Sequence, residues 1–166
     1  MPVFARSFEV DAPIEVVRRF HGSSDALYEL TPPGVVARLH EGGPMREGLV
    51  VRFTMWFGPL PIRWEAHHED VGPDGFTDVQ VRGPHRSWRH RHRFVALGPG
   101  RTRVEDRVEY EHPAGLKGVG TRLLFGAPAL AVLFRYRAWA TRRACEGAPQ
   151  VEAATAEEAG AAHPLN

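Results

Sequence analysis

From Trp88 to Phe94 the chain alternates strictly: Trp88, His90, His92 and Phe94 occupy the even positions, and Arg89, Arg91 and Arg93 the odd ones. A period of two is the mark of a strand with unlike faces. The next segment repeats the division, with Thr102, Val104, Asp106, Val108 and Tyr110 set against Arg101, Arg103, Glu105, Arg107 and Glu109. Upstream, Leu49, Val51, Phe53, Met55 and Phe57 share one parity, as do Ile62, Trp64, Ala66 and His68 in the following run. Gly/Pro punctuation at Gly42-Gly43-Pro44, Gly58-Pro59, Gly72-Pro73-Asp74-Gly75, Gly83-Pro84 and Gly98-Pro99-Gly100 separates these runs. A meander is predicted, each strand paired with the next.

The flanks read as helix. Residues 3 to 10 form a strand carrying Phe4, Phe8 and Val10, after which Asp11-Ala12-Pro13 predicts an N-cap and a helix through Val16, Val17 and Phe20 that stops near His21-Gly22. Ser24 or Asp25 caps a second short helix ending at Leu30, since Thr31-Pro32-Pro33-Gly34 cannot continue one. Val35 to His40 is a further strand. After His112-Pro113 the run from Ala114 to Gly120 starts a helix poorly, and a long helix is expected from about Thr121 to Arg143, bent by Gly126 and Pro128. Leu123, Ala127, Leu130, Ala131, Phe134, Ala138 and Trp139 keep helical spacing, while Arg135, Arg137, Arg142 and Arg143 supply the cations that a helix C-terminus favours. The apolar run from Leu123 to Phe134 falls short of the ~20 residues a bilayer span requires, so a core helix and no transmembrane segment is expected. Residues 1 to 145 are thus one domain, and residues 146 to 166 an Ala/Glu-rich tail with too little apolar surface to fold.

Turn parity predicts which residues meet. Keeping the even faces together makes Gly98-Pro99-Gly100 a three-residue loop that sets His92 opposite Asp106 and Trp88 opposite Tyr110. The same rule at Gly83-Pro84-His85 sets Asp78 opposite His90, Gln80 opposite Trp88 and Phe76 opposite His92, and a loop at Gly72-Pro73-Asp74-Gly75 that also preserves parity brings His68 beside Asp78. The result is a concave face holding His68, Asp78, His90, His92 and Asp106 among Trp64, Phe76, Trp88, Tyr110 and Gln80. A sheet that only covered a core would carry aliphatic residues there.

Such a face supports two readings: a satisfied polar network that orients a bound ligand, which is preferred, or general acid/base chemistry with carboxylates raising and aiming the imidazoles. The pair His90 and His92 also has the spacing of a strand-borne metal site, with Asp106, Asp78 or His68 as third ligand. Because each histidine already has an aspartate partner, no metal and no cofactor is expected. The outer arginines are interleaved with Glu105, Glu109 and Glu111, and the aromatics face away from them, which predicts a solvated ion-pair face and no nucleic-acid partner. No phosphate loop, nucleophile elbow or dinucleotide fingerprint is present.

Composition narrows the setting. The 166 residues suit one domain, and 21 Lys+Arg against 20 Asp+Glu leave a formal charge of +1, with no field to recruit nucleic acid or anionic membrane. The single cysteine, Cys145, excludes an internal disulfide. MPVFARSFEV lacks the apolar core of a signal peptide, so a cytoplasmic location is expected.

Several segments also resemble a known group. FEVDAPIEVVRRF, YELTPPG, GPLPIRWEAHHEDV, FTDVQVRGPHRSWRHRHRF and VEDRVEYEHPAG are similar to the SRPBCC group of START-like, helix-grip proteins, in the polyketide cyclase/dehydrase and lipid-transport-like branch, over residues 3 to 143. The resemblance implies an α+β fold in which a curved antiparallel sheet of about seven strands wraps the long C-terminal helix and encloses a cavity. The expected function is binding of a small hydrophobic or aromatic ligand, of lipid, polyketide-like or isoprenoid type. The alternative is a cyclase/dehydratase in which His90 and His92 exchange protons under the influence of Asp78 and Asp106 while Tyr110 steadies an enolate oxygen.

Overall fold

The computed structural model describes residues 1 to 147; the expected tail lies almost entirely outside the described residues. The chain runs β1 (Val3–Val10), α1 (Ile14–His21), α2 (Ala26–Glu29), β2 (Val35–Glu41), β3 (Val50–Phe57), β4 (Leu60–Gly72), β5 (Gly75–Arg82), β6 (Ser87–Gly98), β7 (Arg101–Glu111), α3 (Gly115–Phe125) and α4 (Ala127–Cys145). The strands form one seven-stranded sheet in the order β1-β7-β6-β5-β4-β3-β2. Every pairing is antiparallel.

Strands β2 to β7 are the expected meander, and β1 joins it by pairing with the last strand, Phe8 against Val104. Alternation then sorts the faces. Trp88, His90, His92 and Phe94 are buried while Arg89, Arg91 and Arg93 are exposed. On the outer face Arg89 bonds to Glu69 at 3.0 Å and Asp70 at 2.9 Å, and Arg107 to Glu109 at 3.0 Å. Exposed pairs of this kind add at most about 1 kcal/mol each. The inner face packs in two clusters, one of Phe8, Val10, Val17, Phe76, Phe94 and Val104, the other of Trp64, Trp88, Val108, Phe125, Leu130 and Phe134.

Two expectations about the helices are corrected. The cap of α1 is Pro13 and not Asp11: the Val16 N–H donates to the Pro13 carbonyl at 3.0 Å, and no side chain caps the helix. The C-terminal helix begins at Gly115, six residues before Thr121, and is broken into two at Gly126. The ψ of Gly126 is 168°, which is extended, and Pro128 falls in the first turn of α4, where its missing N–H has no helical acceptor to lose. The break also resets the helical phase. Leu123 (79% exposed) therefore lies off the buried stripe Leu130, Phe134, Ala138, and Trp139 (51% exposed) sits beside it against Tyr136.

By length and composition the segment Gly115–Cys145 would suffice to cross a membrane. In this fold α4 instead lays Leu130 and Phe134 on the sheet, with the Phe134 ring 5.2 Å from Phe4 and 5.2 Å from His90. The sheet grips this helix.

Candidate functional site

Between the inner face of the sheet, the α1–α2 region and α4 lies a pocket of about 270 Å³. Most of its wall is apolar, with Phe53, Met55, Trp64, Trp88, Phe125 and Leu133 among the lining residues. One end is polar. There His68 comes from β4, Asp78 from β5, His90 and His92 from β6, His21 from α1 and Arg137 from α4.

The ladder explains how four strands deliver one cluster. Cα partners across the sheet are His68 with Asp78, Asp78 with His90, Phe76 with His92, His92 with Asp106, and Trp88 with Tyr110. Two of the hydrogen bonds, however, run diagonally. His90 Nε2 donates to Asp106 Oδ1 at 2.9 Å, and His92 Nε2 to Asp78 Oδ2 at 3.0 Å. His92 Nδ1 also lies 3.1 Å from Asp106 Oδ1, and His68 Nε2 meets Asp78 Oδ1. An imidazole is long enough to reach the neighbour two positions along, so facing residues need not be bonded partners.

The electrostatics follow from this arrangement. Burial would raise the pKa of Asp106, but the hydrogen bonds from His90 and His92 hold it well below the usual carboxylate range; for Asp78 the bonds from His68 and His92 do the same. Burial would lower His92, yet its bonds to Asp106 and Asp78 raise it to about 9. His90 goes the other way: burial and the neighbouring charge of His92 push it down to about 4, against the pull of Asp106. The two rings stand with centroids 3.8 Å apart. One is an imidazolium at neutral pH and the other a neutral imidazole.

Of the residues singled out from the sequence, Trp64, His68, Phe76, Asp78, Trp88, His90 and His92 border the pocket. Asp106, Gln80 and Tyr110 do not. Asp106 is 6% exposed and bonds to the two histidines. The expected pairing of Gln80 with Trp88 does not form, because the β5–β6 ladder ends at Val79 and Arg89. Gln80 turns to the loop, donating to the His85 carbonyl at 2.9 Å and accepting the His85 N–H at 3.3 Å. Tyr110 sits against His112, ring centroids 5.2 Å apart.

Three residues escaped the sequence reading. His21 is 6% exposed and its ring lies 5.1 Å from Phe94; burial and the charge of His92 lower its pKa to about 3. Arg137 lines the pocket, although the sequence placed it only among the cations that a helix C-terminus favours. His85 is buried among Trp64, Trp88 and Phe125, and burial lowers its pKa to about 4. The signals were there: His21 is four residues from the buried Val17, and Arg137 falls on the stripe of Leu130, Phe134 and Thr141.

Asp78, His90 and His92 each offer a metal-ligating atom, and the three atoms lie within 4.8 Å of one another. The Nε2 atoms of both histidines already face carboxylates, so a cation would have to compete with those bonds.

No protein-family model matches the chain, and no curated protein matches it. Solved structures do match. A START superfamily protein from Mycobacterium smegmatis is 17% identical with a TM-score of 0.63, the match covering 87% of this chain and 97% of the other. For an aromatase/cyclase from Streptomyces sp. R1128 the values are 15% and 0.61, over 86% and 90% of the two chains. For norcoclaurine synthase from Thalictrum flavum, in complex with dopamine and hydroxybenzaldehyde, they are 16% and 0.61, over 83% and 84%. The fold is START-like, a helix-grip α+β arrangement, as the segments between residues 3 and 143 implied.

Proposed function

We propose that this chain binds a small hydrophobic or aromatic molecule, of lipid, polyketide-like or isoprenoid type, in the pocket between the sheet and α4. The observation that carries the reading is the division of the wall: aromatic and aliphatic side chains over most of it, with His68, Asp78, His90 and His92 gathered at one end. Ligand sites combine a largely apolar wall with a few convergent polar groups that fix orientation. The polar groups here are preset by their hydrogen bonds to one another.

A second reading has its own support in the split between His90 and His92. Neighbouring titratable groups whose surroundings drive their pKa values apart, to about 4 and about 9, suit acid/base chemistry. In a cyclase/dehydratase, neutral His90 would accept a proton from a carbon next to a carbonyl, and the His92 imidazolium would deliver one to the oxygen. Each proton has a source and a destination, and the charge of the pair is conserved. Tyr110 lies outside the pocket lining and has no part in this step.

Trp64 and Trp88 line the pocket and serve as reporters. Tryptophan quenching by a library of polyketide-like, isoprenoid and fatty compounds, with native mass spectrometry of the recovered complexes, tests both readings. Saturable quenching with the compound recovered unchanged is expected. A compound released with altered mass or connectivity moves the assignment to the enzyme, and absence of saturable quenching by any class overturns the pocket reading.

A further inference from the structure

The polar end of the pocket holds more hydrogen-bonding capacity than the protein uses. Both carboxylates are already engaged by histidine N–H groups. Three nitrogens at the same end are not: His21 Nε2, His68 Nδ1 and Arg137 Nε are buried without a hydrogen-bond partner among the described residues. Their parent residues all line the pocket, and His21 and His68 are each 6% exposed. Buried polar groups in folded proteins are nearly always satisfied, so a cluster of three calls for a partner that enters the pocket.

The character of that partner follows from the groups. Arg137 has only donors to offer, and its guanidinium is held over the Phe134 ring at 5.3 Å. It projects from α4 toward the end of the pocket that also receives His21 from α1 and His92 from β6. The planar fork of an arginine matches a carboxylate, and the bond is stronger when the acceptor is ionised. Asp78 and Asp106, the two acidic groups whose charge Arg137 feels, lie with their oxygens turned to histidines. We infer that Arg137, aided by His21, forms a carboxylate subsite, and that the ligand is an apolar acid: an aliphatic or aromatic body along the Trp64, Phe53 and Leu133 wall with its carboxylate at Arg137. This rests on the pocket reading proposed above and adds the chemical class of the ligand's polar end.

The experiment compares matched acids and alcohols of one skeleton, 1-naphthylacetate with 2-(1-naphthyl)ethanol and decanoate with decanol, by calorimetric titration of the full chain at neutral pH. Wild type should bind each acid at least about tenfold more tightly than its alcohol. Arg137→Met should remove that preference, bringing acid and alcohol of each pair to within about threefold of one another, and Arg137→Lys, which keeps the charge without the fork, should retain part of it. Equal affinity for acid and alcohol in wild type overturns the inference, and so does an acid preference that survives in Arg137→Met. The wild-type comparison stands even if the methionine variant does not fold. Alcohols that bind without a preference for acids leave the pocket reading intact, whereas no binding by either pair defeats both.

Discussion

Raising the pH from 6.5 through 9 should strip from His92 the proton it holds between Asp106 and Asp78. Burial works against that proton, but the hydrogen bonds to the two carboxylates prevail and lift the pKa from 6.5 to about 9. Between those values the folded protein keeps a proton that the unfolded chain releases. The stabilisation is therefore complete below pH 6.5 and is lost as the pH climbs through 9. A shift of about 2.5 units at 1.36 kcal/mol each sets the loss at about 3 kcal/mol, with a slope never steeper than about 1.4 kcal/mol per pH unit for a single proton. On the acid side the sign reverses. His21 and His90, lowered to about 3 and about 4, stay neutral in the fold while their unfolded counterparts charge below 6.5, so stability falls again as the pH drops. Urea unfolding followed by tryptophan fluorescence, repeated across this range, should show a crest near pH 7, where the opposing contributions of His92 and of the lowered histidines cancel. In His92→Gln, which has no proton to lose, the alkaline decline should vanish. A flat wild-type profile from 6.5 to 9, or an equal decline in the variant, refutes the reasoning.

Two further substitutions test the frame around the site. At Gly75 the φ is +138° and a Cβ would lie 2.0 Å from the His92 carbonyl oxygen, so Gly75→Ala should destabilise by about 1–3 kcal/mol and move the His92 imidazole resonances in NMR spectra; unchanged resonances would show that β5 and β6 do not approach so closely. Phe134 is 1% exposed and packs on Phe4 and His90, so Phe134→Ala should cost about 3–5 kcal/mol in urea unfolding. A cost below about 1 kcal/mol would mean that α4 does not press on the sheet there.

The strands were legible in the sequence to a degree that the helices were not. Parity and turn length predict the ladder partners His68 with Asp78, Asp78 with His90, and His92 with Asp106, all of which occur. Parity says nothing about side-chain torsions, so the diagonal bonds from His90 to Asp106 and from His92 to Asp78 could not be read from it. Nor could the turn of Gln80 toward His85, which depends on the ladder stopping at Val79. In the helices a strong local motive masked a tertiary one. A cation near a helix C-terminus has a sufficient reason in the dipole, and that reason covers Arg142 and Arg143 but not Arg137, which shares the buried stripe. The break at Gly126 was visible as a bend, yet only the structure shows that α3 and α4 then present unrelated faces.

At neutral pH the polar end of the pocket carries two negative groups, Asp78 and Asp106, and two positive ones, His92 and Arg137, while His21 and His90 are neutral. Three of these four charges come from the sheet and the fourth from α4, so the second cation arrives only when the helix docks. Stability alone does not call for this design, since well-packed apolar residues of similar volume commonly serve as well as a buried ionic network or better. Its placement at one end of an otherwise apolar pocket gives it another use. A cluster whose carboxylates are already engaged, and which still has donors to spare at Arg137 and His21, can take up an acceptor from a ligand without breaking any bond it already holds.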